Sequence, residues 1–161
     1  MKCLFRLIVI LFFVFPTMVL GNEVKKCKIE FDKYVAPKVE GCDIIISKQG
    51  NTSNYNCNSD LKTKITDMLL GMLRNLQSNE FPTYGEVSLK ISENSVSGII
   101  ESLDPKQIDS FTFPTLNKIS STKYSGLLDN GIKITVIADD DIQITFAGGY
   151  GKIYVEGTCE N

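Results

Sequence analysis

The chain has 161 residues, of which 17 are basic and 19 acidic, and it contains no histidine. This mild negative balance argues against nucleic-acid binding, which usually needs a concentrated basic surface. Without histidine a Ser-His-Asp triad is impossible, and a cysteine nucleophile lacks its usual base. We therefore predict a binding protein rather than an enzyme, with no cofactor.

The N-terminal segment has the pattern of a secretory signal peptide. Lys2 and Arg6 flank the start of a long apolar run that is broken at Pro16, and compact residues follow at a plausible cleavage point. A membrane anchor is the alternative, but a polar, charged sequence begins directly after the segment. We predict a signal peptide over 1–21 and a single secreted, extracellular domain over 22–161.

Four cysteines remain in the mature chain once Cys3 leaves with the signal peptide, namely Cys27, Cys42, Cys57 and Cys159. An even number in an oxidising compartment indicates two disulfides. Because there is no Cys-x-x-Cys pair and no histidine, the spacing does not fit a metal site. Three pairings are open, and we favour Cys27 with Cys42 and Cys57 with Cys159.

The first part of the mature chain, residues 22–58, mixes short apolar patches with the polar loop "KQGNTSNYNCNSD". This loop carries the sequon Asn51-Thr52-Ser53. Asn51 is therefore a candidate for N-glycosylation, which requires it to face solvent. An unoccupied sequon fits the sequence equally well.

The segment from Ser59 to Ser78 has the spacing of an amphipathic helix. Its apolar residues recur on one face, and they are Leu61, Ile65, Met68, Leu69, Met72, Leu73 and Leu76. The opposite face is polar but not strongly basic, which favours packing against a sheet over a membrane-surface helix. Gly71 in its middle predicts the close approach of another backbone.

After Pro82 the apolar period shortens to two residues. The segments "EVSLKIS", "GIKITVIAD" and "DIQITF" alternate as half-buried antiparallel strands do. Turn residues separate them, with Asn130-Gly131 the strongest tight-turn signal. We predict an α+β domain in which one long amphipathic helix packs on a curved antiparallel meander of five to seven strands.

Two segments have a superficial likeness to ligand sites. Asp139, Asp140 and Asp141 are adjacent carboxylates, but the loop that makes a calcium site converge is missing, so we interpret them as a solvated hairpin turn. The segment Ala147 to Lys152, "AGGYGK", lacks the spacing of a phosphate-binding loop. We interpret it as a kink or bulge in a strand.

The interior between helix and sheet is the remaining candidate site. Met- and Leu-rich helix residues facing Ile- and Phe-rich strands form either a closed core or a site for an apolar ligand. The candidate ligand-lining residues are Ile65, Met68, Leu69, Met72, Leu76, Phe111, Phe113, Ile134 and Phe146.

Two similar phrases, "SVSGIIESLDP" and "KYSGLLDNG", repeat a Ser-Gly pair followed by two aliphatic residues. In a strand such a glycine permits a bulge or a close crossing. Together with the turn Leu103-Asp104-Pro105, the phrases at 96–99 and 124–127 resemble the arthropod tubular lipid-binding superfamily, which includes takeout, juvenile-hormone-binding proteins and mite group 7 allergens. The resemblance spans residues 60–155. It implies a long helix wrapped by a curved sheet that binds a hydrophobic small molecule or lipid.

Two other families of function fit parts of the sequence. The segment Asn94 to Gly98 is similar to the Gln-x-Val-x-Gly loop of cystatins, which would imply a cysteine protease inhibitor. A venom-type effector, or toxin, acting on an extracellular protein or a membrane fits the signal peptide and the cysteines without indicating particular residues. We favour a non-enzymatic protein that binds a hydrophobic small molecule or lipid.

Overall fold

The computed structural model describes residues 22–38, 42–49, 52–55 and 82–160, together with Asp67 and Gly71. Within the four ranges every regular element is a β-strand. The strands are β1 (Glu23–Val35), β2 (Asp43–Ser47), β3 (Thr52–Tyr55), β4 (Gly85–Ile91), β5 (Ser95–Ser102), β6 (Ser110–Lys118), β7 (Lys123–Leu127), β8 (Lys133–Ala138), β9 (Asp141–Gly148) and β10 (Gly151–Cys159).

The strands form one antiparallel sheet that closes on itself. From β4 to β10 each strand pairs with the next in sequence, and β1 pairs with both β4 and β10, so that eight strands make a closed barrel. One edge of the long strand β1 pairs with β10 from Cys27 to Val35, with a register shift between Phe31 and Lys33. Its other edge pairs first with β4, from Glu23 to Ile29, and then with β2, from Lys33 to Val35. The β2–β3 hairpin therefore continues from β1.

The barrel interior is the hydrophobic core. Inward-facing residues of the eight barrel strands fill it, and large fully buried side chains come from all around the wall, among them Tyr34, Leu89, Ile100, Phe113, Leu116, Ile134, Ile144 and Phe146. An eight-stranded barrel is just wide enough for its own side chains to fill it. The alternation predicted for β4, β8 and β9 is confirmed, since Val87, Leu89, Ile134, Val136, Ile144 and Phe146 are buried.

The two Ser-Gly phrases lie in the strands on either side of β6. Gly98 of β5 faces Phe113, and a Cβ at Gly98 would lie 2.5 Å from the Cζ atom of Phe113. Gly126 of β7 lies beside Leu116 in the same way, with a Cβ placed 2.9 Å from Cδ2 of that leucine. The repeat therefore makes room for the two large inward side chains of β6.

The predicted α+β class is wrong, because the described residues form a nearly all-β closed barrel. The prediction used a helix to cover the apolar face of an open sheet, whereas closure buries that face against itself. The segment 59–78 lies outside the described residues except for Asp67 and Gly71, both exposed. A Cβ on Gly71 meets no described atom within 4 Å, so the described residues give no support to the backbone contact predicted there.

The favoured disulfide pairing is wrong as well. Cys27 is bonded to Cys159, and the two stand directly opposite each other in the β1–β10 register, with their Cα atoms 3.9 Å apart. Barrel closure creates this proximity between residues 132 positions apart, which cysteine spacing does not reveal. Cys42 is also disulfide-bonded. Cys57 lies outside the described residues, as does the signal segment 1–21.

The turns match the sequence in two cases and differ in one. At the predicted Asn130-Gly131 turn, Gly131 has φ +80° and its N–H donates to the Leu128 carbonyl at 2.9 Å. Residues 139–141 form the predicted β8–β9 hairpin turn. The segment Ala147 to Lys152 is not a bulge but contains the turn joining β9 to β10, because β9 ends at Gly148 and β10 begins at Gly151, and these two residues pair. Gly151 has φ +107°.

Candidate functional site

A groove of about 820 Å³ lies beside the barrel and is the main candidate site. Residues of β1, β8, β9 and β10, most of them outward-facing, line it, together with the residue before β4, the β5–β6 loop and the β8–β9 turn. We call it the lateral groove; the residues that give it its character are Lys28, Glu30, Tyr84, Leu103, Asp139, Asp140, Asp141 and Glu156.

An exposed apolar pair forms part of the lateral groove. The side chains of Tyr84 and Leu103 are 50% and 56% exposed, although both are large and apolar. Their backbones are joined, since the Leu103 N–H donates to the Tyr84 carbonyl at 3.1 Å. An aromatic and an aliphatic side chain are therefore both exposed in the lateral groove.

A hydrogen-bonded bracket holds this apolar pair in place. The buried Thr83 donates its backbone N–H to Oε1 of Gln107 at 2.6 Å, and Nε2 of Gln107 approaches Oγ1 of Thr83 at 3.3 Å. The loop is tightened by Asp104, whose Oδ1 accepts the Lys106 N–H at 2.9 Å. Both Tyr84 and Leu103 are thus anchored through their immediate neighbours.

Carboxylates give the lateral groove a negative charge. It is lined by five acidic side chains and by one basic side chain, Lys28. Glu30 is neutralised by an ion pair with Lys48. Among the described residues, no lysine or arginine nitrogen lies within 4 Å of a carboxylate oxygen of Asp139, Asp140, Asp141 or Glu156.

The β8–β9 turn that carries three of these carboxylates is fixed by its backbone. The Asp139 N–H donates to the Asp141 carbonyl at 3.0 Å. Lys25, which points toward the barrel end, donates from Nζ to the Asp139 carbonyl at 2.6 Å. In the part of the chain that the structure describes, no group of three or more potential ligands is arranged to hold a metal ion.

The ligand-lining residues predicted on the strands lie inside the barrel. Phe113, Ile134 and Phe146 are at most 2% exposed, and the half-buried Phe111 contacts Phe146 edge-on with ring centroids 5.8 Å apart. The structure brings these four residues into the packed core rather than the lateral groove. Outside the described residues lie Asn51, Ile65, Met68, Leu69, Met72 and Leu76.

Sequence reasoning missed the apolar pair and the acidic wall as a combined site. In the sequence the Leu103-Asp104-Pro105 turn contributes only to the resemblance to the lipid-binding superfamily, and Tyr84 belongs to no recognised motif. A lone exposed tyrosine or leucine carries no periodic signal. Their proximity depends on the Gln107–Thr83 bracket, which joins residues 24 positions apart.

The segment that resembles the cystatin loop does not form a free loop. Asn94 lies in the β4–β5 turn, whereas Ser95 to Gly98 belong to β5, in which Val96 and Gly98 pair with both β4 and β6. Val96 is fully buried. This placement gives no support to a wedge that enters a protease cleft.

Comparison with protein-family models, curated proteins and solved structures finds no match to this chain. Among the described residues, no helix has the length and apolar character needed to cross a lipid bilayer. A β-barrel fold is compatible with a small-molecule-binding protein. Function is therefore inferred from the geometry and charge of the lateral groove.

Proposed function

We propose that the protein is an exported, non-catalytic binding protein that takes up a small molecule with an apolar part in the lateral groove. The observation that carries the proposal is the anchored, exposed pair Tyr84 and Leu103 beside a groove of about 820 Å³. Ligand sites usually measure roughly 300–1,000 Å³ and combine apolar walls with a few polar groups. The lateral groove has both properties.

The groove is a better site than the barrel interior. Ligand entry into the interior would have to displace Phe113 or Phe146, which are 1% and 2% exposed. Losing the packing of a buried phenylalanine costs about 3–5 kcal/mol, judged from truncation to alanine. The lateral groove is open to solvent and needs no such displacement.

Export is supported by the signal-like segment 1–21 and by the Cys27–Cys159 bond, since disulfides persist in oxidising compartments. The resemblance to the arthropod tubular lipid-binding superfamily favours a hydrophobic ligand. In this chain the two Ser-Gly phrases on which the resemblance is based lie in β5 and β7, the strands on either side of β6 in the closed barrel.

The proposal is tested by binding of Nile red, a neutral apolar dye, to the oxidised mature chain. Tyr84→Ala and Leu103→Ala should each weaken binding about tenfold, equivalent to ~1.4 kcal/mol of lost apolar contact. Tyr150→Ala and Leu127→Ala are matched controls, because these side chains are also exposed, at 57% and 69%, and do not line the groove.

The controls should bind the dye as the parent does. Unfolding in urea would verify that all four variants retain the parent's fold. Equal loss in the groove variants and the controls would contradict the proposal, as would an unmodified chain that binds neither Nile red nor lipid co-purified from eukaryotic cells.

A further inference from the structure

We infer that the lateral groove selects a cationic amphiphile, meaning a small molecule with an apolar body and a protonated amine or quaternary ammonium head. The inference rests on the proposed function and specifies the class of its ligand. It follows from the placement of the anchored apolar pair and the unpaired carboxylates in one groove.

The charge of the groove is available to a ligand. Glu30 already has Lys48 as its counter-ion. The other four carboxylates have no described basic nitrogen within 4 Å, and Asp139, Asp140, Asp141 and Glu156 are all exposed. An incoming cation therefore does not have to break an existing ion pair.

Nearby basic side chains offset this charge only in part. Lys28 is the basic residue that lines the groove, against five acids. Lys25 donates to the Asp139 carbonyl rather than to a carboxylate. Lys33 is attracted to Glu156, but its ion pair is with Asp32, at 3.0 Å. The local field thus favours positive charge and opposes an anionic head such as a fatty-acid carboxylate.

The apolar residues of the groove determine which chemical character the uncharged part of the ligand should have. Tyr84 and Leu103 offer surface for a hydrocarbon or aromatic body, and half-buried Ile137 adds to it. The face of the Tyr84 ring also attracts a cation. A bare metal ion would use none of this apolar surface, and sequence-adjacent aspartates diverge in direction rather than converging on one ion.

The test compares three ten-carbon probes, namely decylammonium, decanol and decanoate, by calorimetric titration of the oxidised mature chain below micelle formation. We expect decylammonium to bind most tightly and decanoate least. Added salt should reduce the difference, because the screening length falls from about 10 Å at 0.1 M to about 3 Å at 1 M.

The variant Asp139→Asn/Asp140→Asn/Asp141→Asn removes three carboxylates and keeps residues that turns accept. It should weaken decylammonium binding by up to about 27-fold, from roughly threefold for each of three exposed charge pairs. Decanol binding should stay unchanged. The matched control, Glu101→Gln/Asp109→Asn/Asp129→Asn, changes the net charge equally at exposed positions that do not line the groove.

The control should retain most of the decylammonium affinity. Equal loss in both triple variants, or decanoate binding as tightly as decylammonium, would overturn the inference. Failure of the charge inference is distinguishable from failure of the proposed function. If all three probes bind equally and Tyr84→Ala weakens all of them, the groove remains the site and its charge selectivity is refuted; if no probe binds, both proposals fail.

Discussion

Replacing Gly98 by alanine tests whether the barrel interior is filled as the structure indicates. The new Cβ would lie 2.5 Å from Cζ of Phe113, 2.8 Å from the Ser88 carbonyl oxygen and 2.9 Å from Cδ2 of Leu89. Three contacts below 3.0 Å cannot be relieved by moving one flexible side chain, because one partner is backbone. We expect β4, β5 and β6 to shift against one another.

The size of the effect follows from two opposing contributions. Alanine restricts the unfolded chain and would by itself stabilise the fold by about 0.4–1 kcal/mol. Overpacking a filled core costs about 1–3 kcal/mol. We therefore expect Gly98→Ala to lower the free energy of unfolding by ~1–2 kcal/mol.

The equivalent glycine of the second phrase provides a comparison. At Gly126 the only contact below 3.0 Å is with Cδ2 of Leu116. Leu116→Val shortens that side chain and should recover most of the loss caused by Gly126→Ala. Shortening Phe113 should recover only part of the Gly98→Ala loss, because the Ser88 carbonyl still obstructs the new Cβ.

Urea unfolding with linear extrapolation measures these differences, provided that the slope stays constant across the variants. Gly149→Ala is the control, since a Cβ there meets no described atom within 4 Å. A Gly98→Ala protein as stable as the parent, with an unchanged slope, would refute the packed interior around Phe113.

Three further predictions concern the stability of the barrel and the groove. Replacing Cys27 and Cys159 by serine should lower the free energy of unfolding by about 2–5 kcal/mol, because their bond closes a loop across a separation of 132 residues, and urea unfolding measures the loss. Burial raises the pKa of Tyr34, so the folded state keeps a proton that the unfolded state releases above about pH 10; stability should fall as pH rises beyond that point. Tyr34→Phe should remove the Tyr34 part of that decline, seen by urea unfolding across this pH range, at a cost of ~1 kcal/mol for the lost hydrogen bond. Gln107→Ala removes the acceptor of the Thr83 N–H and should cost ~1–3 kcal/mol while weakening Nile red binding; unchanged dye affinity would show that the bracket does not organise the groove.

The alternation in the second half of the sequence was sufficient to predict individual strands. The inward positions of β8 and β9 follow a strict two-residue period, which predicts that Ile134, Ile144 and Phe146 are buried, as they are in the structure. The Asn130-Gly131 turn followed from the backbone freedom of those residue types. Strand alternation and turn residues depend only on neighbouring positions in the sequence, so they can be recognised without knowledge of the tertiary structure.

Closure of the sheet could not be predicted in this way. Strand β1 has the sequence "EVKKCKIEFDKYV". Because it contains many polar residues, including the inward-pointing Lys25, the sequence does not indicate that this strand pairs on both edges. Its pairing with β10 spans 132 residues between Cys27 and Cys159, which no local period encodes. A sheet with one apolar face must bury that face against another element. The sequence contains a helical pattern that could cover it, but in the structure the sheet closes and buries the face against itself.

The lateral groove escaped prediction for a related reason. Its parts come from β1, β8, β9, β10, the residue before β4, the β5–β6 loop and the β8–β9 turn, and they meet only when the barrel closes. The aspartates at 139–141 were correctly interpreted as a turn, but their proximity to Tyr84 and Leu103 is a tertiary property.

The most direct test of the account is a chemical-shift map of backbone amides and side-chain methyls during titration with decylammonium. Binding in the lateral groove predicts shifts confined to Tyr84, Leu103, the 139–143 segment and the adjoining β1 and β10 residues, with the interior methyl of Ile134 unmoved. Shifts centred on Ile134 and its neighbours inside the barrel, or no saturable shift at all, would contradict the account.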